Sequence, residues 1–522
     1  MRHVIDRSLS SVFDPVFKRE SETHADGDVH SLRRIVTTAR FFADSDIEFT
    51  SVAESAATAR SGELVVYRIG EDCPSRLVAD AMARGAAGIL SEQVLPCPLP
   101  QCIVGDVNLA LADITANQLG HPDRKLLTIG VVGSAGKTTT SLLLANLFRG
   151  NGIRTAYQTD LGDSDGIVQS TSTEEVPTGT ALVQWIGEAH DSGCSAAIIE
   201  CSDNALRHGA YDSIRFDLLI VTGSASGRSD YGESGLQCAL DRMVSGGVVI
   251  APTDDPSAMR VIGDSGVRKM TYGVRSSADV TATIVEQASG MTTLLMTHEN
   301  TTAVMESSLC GPAMAANLAA ATAVGRLIDK PLHEIVERLG QLRTVPGCGQ
   351  HLARLGQATV IVDRAGTPER AGAALRTHRS MKGAGQLWCI LAIDAGDSPQ
   401  RLADYGNLIE RFADTAIITS TPDSKPKFLS AAHAVLDGVK HCAAVRLVAD
   451  GQRAIQWAMS EAGPRDTLLV MGGCSGNSPH SRRAEIERLT QFILSEQQAI
   501  EDASRTARSD DVPTILKIAD LS

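Results

Sequence analysis

The sequence predicts an α/β fold with three domains, of which the central one has a parallel sheet with a phosphate loop and the last one is Rossmann-like. Three observations support this. The chain has 522 residues, and a single hydrophobic core rarely organises more than about 250–300 residues. Short apolar runs alternate with helical segments, as the crossovers of parallel strands require. At residues 130–140 an apolar strand is followed by a glycine-bearing turn and a helix.

Composition excludes several classes of protein. The 48 Lys and Arg against 62 Asp and Glu give a net charge of −14, which disfavours nonspecific nucleic-acid binding because phosphate neutralisation needs a basic face. The 11 cysteines form no CxxC pair and no zinc-ligand spacing, and they indicate buried thiols in a reducing compartment. No apolar run approaches the roughly 18 residues of a membrane span. We therefore expect a cytoplasmic protein without nucleic-acid or membrane partners.

Turn-rich segments predict the domain boundaries. GHPDRK at residues 120–125 and TVPGCGQ at 344–350 have the composition of a linker and a hinge. The predicted parts are a poorly ordered extension (1–30), an N-terminal α/β domain (31–122), a central domain (123–343), a C-terminal Rossmann-like domain (344–497) and a tail (498–522). The strands predicted for the central domain are 126–132, 195–200, 216–222 and 247–251, with an antiparallel annex at 279–308.

The phosphate loop is predicted at GVVGSAGKTTT, residues 130–140. Gly133 and Gly136 allow the backbone N–H groups to face an anion at the start of a helix, Lys137 supplies a cation for phosphate oxygens, and Thr138 is a Mg²⁺ ligand. A strict Walker A motif would have glycine at Val131. The alternative is a structural turn before a helix. The predicted nucleotide-binding residues of the loop are Gly133, Ser134, Ala135, Gly136, Lys137, Thr138 and Thr139.

A phosphate loop also needs an acid for the metal, usually at the end of a neighbouring strand. Glu200 closes the apolar run SAAII and is the candidate. A solvent-exposed carboxylate at the end of a strand is the alternative interpretation.

The loop and this acid belong to an ordered series of motifs that resembles the Mur ligase family, in particular its UDP-N-acetylmuramoyl-tripeptide synthetase type, over residues 30–497. VGSAGKTTT is similar to the family's TGTNGKTTT, with Ala135 in place of Asn. IIECSDNAL aligns Glu200 with the family's magnesium-binding Glu. GPAMAANLAAA keeps Asn317, and VDRAGTP keeps Asp363.

The resemblance implies a uridine-nucleotide domain, a central ATPase domain and a C-terminal domain that brings the incoming amino acid. It implies ATP and Mg²⁺ as cofactors, an acyl phosphate on the substrate carboxylate, and attack by an amine. Asn317 would face the adenine, Asp363 would hold the ribose, and Thr138 and Glu200 would hold the metal.

The sequence also departs from the family's motifs. Arg228 occupies the position of a magnesium-binding His, and a guanidinium cannot ligate a cation. Leu240 occupies the position of a carbamoylated Lys. Further replacements are Pro252 for an Asn, Cys348 for an Arg, Gly366 for a His, Ser55–Ala57 for Asp-Ser-Arg, TSTPDS (419–424) for Asp-Asn-Pro-Arg and GGCSGN (472–477) for Gly-Lys-Gly-His-Glu.

These departures leave more than one function open. The first hypothesis is an ATP-dependent amide ligase acting on a UDP-N-acetylmuramoyl-peptide, with Lys137, Glu200 and Arg228 as catalytic residues and Arg228 as a substitute cation. The second is a catalytically impaired paralogue that binds nucleotide as a structural or regulatory module. A third is a ligase for another acid, such as a folate or a polypeptide. We expect a monomer with ATP, a muramoyl peptide and an amino acid as small-molecule partners.

Overall fold

The computed structural model describes residues 29–510, except 173–176, 224–234, 289, 382, 442–443, 474–475 and 477, and the side chains as far as residue 502. These residues form two compact units. The first takes the described residues of Met1–Gly223, Arg228–Tyr272 and Ala320–Ile335, and the second takes those of Gly273–Ala319 and Val336–Ser522. The predicted extension lies outside the described residues as far as position 28, and the predicted tail lies outside them from position 511.

The first unit begins with a small four-stranded sheet in the order β2-β6-β5-β4. Strands β4, β5 and β6 are parallel, and β2 is antiparallel to β6. The hydrophobic core at this sheet includes Leu64 and Leu90 from its strands and Ile114 from a helix. The elements are β1 (His30–Ser31), α1 (Leu32–Ile35), β2 (Arg40–Phe42), β3 (Glu48–Phe49), β4 (Leu64–Val66), α2 (Pro74–Arg84), β5 (Gly88–Ser91), β6 (Gln101–Ile103) and α3 (Val107–Gln118).

A larger sheet follows in the same unit, in the order β10-β9-β8-β11-β7-β12-β13-β14. From β8 to β14 the paired neighbours are parallel. Strands β7, β11 and β12 are buried along their whole length, as expected for strands covered on both faces. The elements are β7 (Leu127–Val132), α4 (Lys137–Gly150), β8 (Thr155–Thr159), β9 (Gly162–Ser164), β10 (Gln169–Ser170), α5 (Gly179–Asp191), β11 (Ala196–Glu200), α6 (Asp203–Arg207), β12 (Phe216–Val221), α7 (Gly235–Asp241), β13 (Met243–Pro252), α8 (Pro256–Ser265) and β14 (Arg268–Gly273).

The second unit contains three antiparallel strands, β15 to β17, and a sheet in the order β18-β19-β23-β20-β21-β22. In that sheet only β18 is antiparallel to its neighbour among the described strands. The strands of this unit are β15 (Val280–Ala288), β16 (Met291–His298), β17 (Thr301–Ser307), β18 (Gln350–Leu352), β19 (Thr359–Asp363), β20 (Leu387–Ile393), β21 (Thr415–Ser420), β22 (Val445–Leu447) and β23 (Thr467–Gly472), and its helices are α11 (Pro368–Met381), α12 (Pro399–Phe412), α13 (Phe428–Leu436), α14 (Gly451–Glu461) and α15 (Pro479–Asp510). Helices α9 (Pro312–Leu327) and α10 (Leu332–Gly340) belong to this unit except for Ala320–Ile335, which belongs to the first unit.

These sheets confirm the predicted α/β class, the parallel sheet after the phosphate loop and the antiparallel strands at 279–308. The helix predicted at 137–150 has those bounds in the structure, whereas β13 (Met243–Pro252) is longer than the strand predicted at 247–251. Helix α15 continues past residue 497, where the sequence predicted a tail. The boundaries of the three predicted domains stay a prediction.

The expectations for cysteines and membrane spans can be compared with the described residues. All described cysteines are free thiols, and Cys102, Cys194, Cys201 and Cys389 are buried, whereas Cys73 is exposed. Within the described part of the chain, no helix has both the length and the apolar character that a bilayer crossing requires.

A buried histidine, His378, packs against a half-buried one, His351, in the second unit. The rings of His351 on β18 and His378 on α11 lie with their centroids 5.6 Å apart. Burial, and to a lesser extent the neighbouring His351, lowers the pKa of His378 to about 3. Burial also lowers the pKa of His351. Both rings are therefore neutral in the folded protein at neutral pH, whereas they titrate near 6.5 once the chain unfolds.

This difference in pKa predicts an acid sensitivity of the second unit. Because the folded pKa is depressed, the stabilisation is fully present above pH 6.5 and is lost as the pH falls from 6.5 towards 3. Each pH unit in this range lowers the free energy of unfolding by about 1.4 kcal/mol, so that His378 lowers it by about 3 kcal/mol at pH 4. We expect His378→Leu to reduce the dependence of the unfolding free energy on pH, measured by urea unfolding between pH 7 and pH 4. The exposed His433 provides the control His433→Leu, and a His378→Leu protein with the wild-type pH slope would contradict the prediction.

Candidate functional site

The predicted phosphate loop joins β7 to α4. Gly133 has φ 143° and Gly136 has φ 86°, conformations that favour glycine. A Cβ atom on Gly133 would also collide with the Thr222 hydroxyl. Gly136 is the N-cap of α4, and no side chain caps this helix. An uncapped helix start of this kind presents the N–H groups of its first turn to an anion.

Lys137, the first residue of α4, lies over this loop. Its Nζ donates a hydrogen bond to the Gly133 carbonyl oxygen at 3.0 Å and lies 3.9 Å from Glu200 Oε1. Only 11% of the lysine side chain is exposed. The ammonium group is thus largely withdrawn from water, where its attraction for an anion is less screened than on the surface.

Glu200 ends β11, the strand next to β7, and is paired in register with Val131. Its Oε1 accepts a hydrogen bond from Thr138 Oγ1 at 3.1 Å, and its Oε2 accepts one from the Asp160 N–H at 3.0 Å. The side chain is 2% exposed, and a carboxylate so deeply buried needs such partners. The structure therefore brings the predicted acid together with Thr138 and Lys137, and the solvent-exposed alternative for Glu200 is wrong.

The oxygen atoms of Thr138 and Glu200 fit Mg²⁺, a hard cation that commonly binds one or two protein oxygens and completes its shell with water and substrate phosphates. The described residues contain no cluster of three or more His, Cys, Asp or Glu that could hold a metal. Leu240 on α7 is 5% exposed and belongs to the apolar core of the first unit, so it offers no ligand. The donor set thus suits a cation held jointly with a phosphate rather than a metal bound by the protein alone.

The other predicted site residues lie elsewhere in the chain. Asn317, on α9 in the second unit, is buried, and its Nδ2 lies 3.8 Å from Met314 Sδ. Asp363 ends β19 in the same unit; burial raises the pKa of its carboxyl. Its two oxygens accept the N–H groups of Gly349 and Ala365, each at 2.9 Å. The roles of Asn317 and Asp363 stay predictions, and Arg228 lies outside the described residues.

Two secondary features have structural explanations. Asp255 caps α8 by accepting the N–H groups of Ser257 and Ala258, each at 3.1 Å, as expected for a cap rather than a metal ligand. Burial raises the pKa of the Cys348 thiol, which is the opposite of the shift that activates a nucleophilic cysteine.

Sequence reasoning missed two contacts of the site. The Asp160 N–H binds Glu200, and the Thr222 hydroxyl lies 2.6 Å from the Ala135 carbonyl oxygen. Both residues directly follow strands, β8 and β12. Thr222 closes the apolar run FDLLIVT, which the sequence predicts as a strand, whereas Asp160 follows TAYQT, which is not an apolar run. The order of the strands in the sheet, which makes them neighbours of β11 and β7, was not visible in the sequence.

Comparison with known proteins gives results in agreement with this site. Residues 131–325 match the Mur ligase middle domain, and residues 350–474 match the Mur ligase glutamate ligase domain. The chain is 26% identical over 447 residues to the UDP-N-acetylmuramoyl-L-alanyl-D-glutamate–2,6-diaminopimelate ligase of Bacillus cereus, covering 81% of this chain and 89% of that protein.

Two solved structures share the fold. A structure of a UDP-N-acetylmuramoyl-L-alanyl-D-glutamate–2,6-diaminopimelate ligase matches with TM-score 0.62 and 18% identity, covering 89% of this chain and all of the other. The MurF ligase of Thermotoga maritima in complex with ADP matches with TM-score 0.59 and 18% identity, covering 86% of this chain and 98% of the other. With its phosphate loop and its middle and glutamate ligase domains, the chain belongs to the Mur ligase family.

Proposed function

We propose that the protein is an ATP-dependent amide ligase that activates the carboxylate of a UDP-N-acetylmuramoyl-peptide as an acyl phosphate and joins it to an amino acid. The observation that carries this proposal is the cluster of Lys137, Thr138 and Glu200 around the uncapped start of α4. The diaminopimelate ligase from Bacillus cereus, which matches along most of both chains, supports the choice of substrate class and the peptidoglycan role.

Phosphoryl transfer determines what the site must provide. The γ-phosphoryl group moves from ATP to a carboxylate oxygen, so ADP leaves and a mixed anhydride forms, and the negative charge of both anions must be offset. The amino group then attacks the carbonyl carbon, and inorganic phosphate leaves. In this proposal the N–H groups of the first turn of α4 and the Lys137 ammonium bind the β- and γ-phosphate oxygens.

Lys137 exchanges one partner for another when nucleotide binds. Without nucleotide, its Nζ donates a hydrogen bond to the Gly133 carbonyl oxygen, a neutral acceptor. A phosphate oxygen in its place forms a stronger hydrogen bond, because it carries a negative charge. Glu200 holds Thr138 through its hydroxyl. Mg²⁺ held by Thr138 and Glu200 would supply positive charge at the phosphates.

The remaining roles belong to the same proposal. Arg228 acts as a further cation at the γ-phosphate, Asn317 faces the adenine, and Asp363 holds the ribose. The protein works as a cytoplasmic monomer on small-molecule substrates. The similarity to the Bacillus cereus ligase along most of both chains supports catalysis rather than a nucleotide-binding module without activity.

Removal of the Lys137 ammonium tests the nucleotide site. We expect Lys137→Ala to weaken Mg-ATP affinity about 10- to 100-fold, because a charged hydrogen bond contributes about 1.5–3 kcal/mol. Isothermal titration calorimetry measures the dissociation constant. Lys269→Ala is the control, since Lys269 is exposed on β14 of the same unit. Equal affinity of the Lys137→Ala and wild-type proteins would rule out this role.

The metal role of Glu200 predicts a loss of Mg²⁺ dependence. Wild-type protein should bind ATP more tightly with Mg²⁺ than with EDTA. In Glu200→Gln the ratio of these two dissociation constants should fall about tenfold, because the amide oxygen carries no charge. Glu188→Gln, at an exposed position of α5, should behave as wild type. A Glu200→Gln protein that keeps the full effect of Mg²⁺ would exclude Glu200 as a ligand.

The complete reaction is tested with Mg-ATP, a UDP-N-acetylmuramoyl dipeptide and a panel of amino acids. We expect ADP and phosphate to form only when acid and amine are both present. Hydroxylamine in place of the amino acid should trap the acyl phosphate as a hydroxamate, which mass spectrometry detects. Tight ATP binding without ADP formation on any acid of the panel would contradict a ligase and favour the nucleotide-binding module.

A further inference from the structure

Thr222 and Gly223 directly follow β12 and lie beside the phosphate loop. Strand β12 runs parallel to β7, with Val221 in register with Val132. The Thr222 N–H donates to the Val132 carbonyl oxygen at 2.8 Å and continues the ladder by one residue. The Gly223 carbonyl oxygen then accepts the Ser134 N–H at 3.3 Å. The end of β12 thus contacts the loop from outside through its backbone.

The Thr222 side chain adds the shortest of these contacts. Its Oγ1 lies 2.6 Å from the Ala135 carbonyl oxygen and 3.1 Å from the Val132 carbonyl oxygen. A hydroxyl group has one proton, and the Val132 oxygen already accepts the Thr222 N–H. The shorter distance therefore assigns the proton to Ala135. Because Thr222 is only 8% exposed, water cannot easily replace this bond, and its loss would leave buried polar atoms unsatisfied.

This hydrogen bond orients the peptide that enters α4. The C=O and N–H of a trans peptide point in opposite directions. With the Ala135 carbonyl held towards Thr222, the N–H of Gly136 points away from β12. Were this peptide to rotate, the carbonyl oxygen would take the place of the N–H and would repel a phosphate oxygen.

Another hydrogen bond of the loop, from the Lys137 ammonium to the Gly133 carbonyl oxygen at 3.0 Å, acts away from the Ala135 carbonyl. Ala135 has no polar side chain, and Ser134 Oγ lies 3.5 Å from the Gly223 carbonyl oxygen, the limit of a hydrogen bond. Both flanking glycines have positive φ, a conformation in which glycine adds freedom rather than restraint.

We propose that Thr222 is a positioning residue of the nucleotide site, whose hydroxyl holds the Ala135 carbonyl away from the phosphates so that the loop presents N–H groups to them. This inference rests on the proposed function, because it assumes that the loop binds the phosphates of a nucleotide. In this role Thr222 acts through the loop and takes no part in the chemical step.

The test compares Thr222→Val, Thr222→Ser and Thr128→Val with wild type. Valine keeps the shape of threonine and removes the hydroxyl, whereas serine keeps the hydroxyl. Thr128 is a matched control because it is fully buried on β7, where its hydroxyl donates to the Asp123 carbonyl oxygen at 2.9 Å, towards the opposite end of the strand. Calorimetry gives the dissociation constant of Mg-ADP, and thermal unfolding without nucleotide gives the stability.

We expect both valine variants to lower the midpoint of thermal unfolding, but only Thr222→Val to weaken Mg-ADP binding, by about tenfold, the effect of one lost hydrogen bond. Thr222→Ser should bind within about twofold of wild type. A merely structural role would not produce this difference between the valine variants or the rescue by serine. Should Thr222→Val fail to fold, Thr222→Ala and Thr222→Ser are compared in the same way.

Three results would overturn the inference while leaving the proposed function in place: unchanged Mg-ADP affinity in Thr222→Val, equal weakening in Thr128→Val, or equal weakening in Thr222→Ser. Folded wild-type protein that does not bind Mg-ADP would overturn the proposed function as well. The wild-type titration therefore separates the two failures.

Discussion

The candidate site depends on the register of three parallel strands. Strand β7 lies between β11 and β12, and the pairing of Glu200 with Val131 and of Val221 with Val132 aligns the carboxyl ends of all three. The side chains and backbone groups that follow these strands therefore meet at one edge of the sheet. A shift of one residue would turn every side chain of a strand to the other face, which the buried residues on both faces of β7 prevent.

Burial gives this edge its chemical character. Lys137 and Glu200 are almost fully withdrawn from water, so each charge must be offset by neighbours rather than by solvent. Glu200 is satisfied by a hydroxyl and a backbone N–H, and Lys137 by a carbonyl oxygen. The Lys137 ammonium also lies 3.9 Å from Glu200 Oε1, so the two opposite charges partly offset each other. The Gly133 carbonyl oxygen that Lys137 binds is neutral, and a phosphate oxygen can take its place.

One departure from the family's motifs, Leu240, serves the packing of the fold rather than the chemistry of the site. It contributes apolar surface to a core, at the position that the resemblance assigns to a carbamoylated lysine. Such a replacement removes a ligand and keeps the packing, because hydrophobic patterning, which sets the fold, is separate from the chemistry of the site. This separation explains why the chain shares the fold of the Mur ligases at low sequence identity.

Much of this protein follows from the sequence alone. Alternation of apolar runs and helices predicted the α/β class, and the glycine-lysine-threonine turn predicted the phosphate loop and the start of α4 at Lys137, because these patterns are local. Glu200 was found because it ends an apolar run. Thr222 and Asp160 were not, since their contacts with the loop and with Glu200 depend on which strands lie side by side. Strand order is a property of the folded sheet, in which residues far apart in the chain become neighbours, and only the tertiary structure decided it.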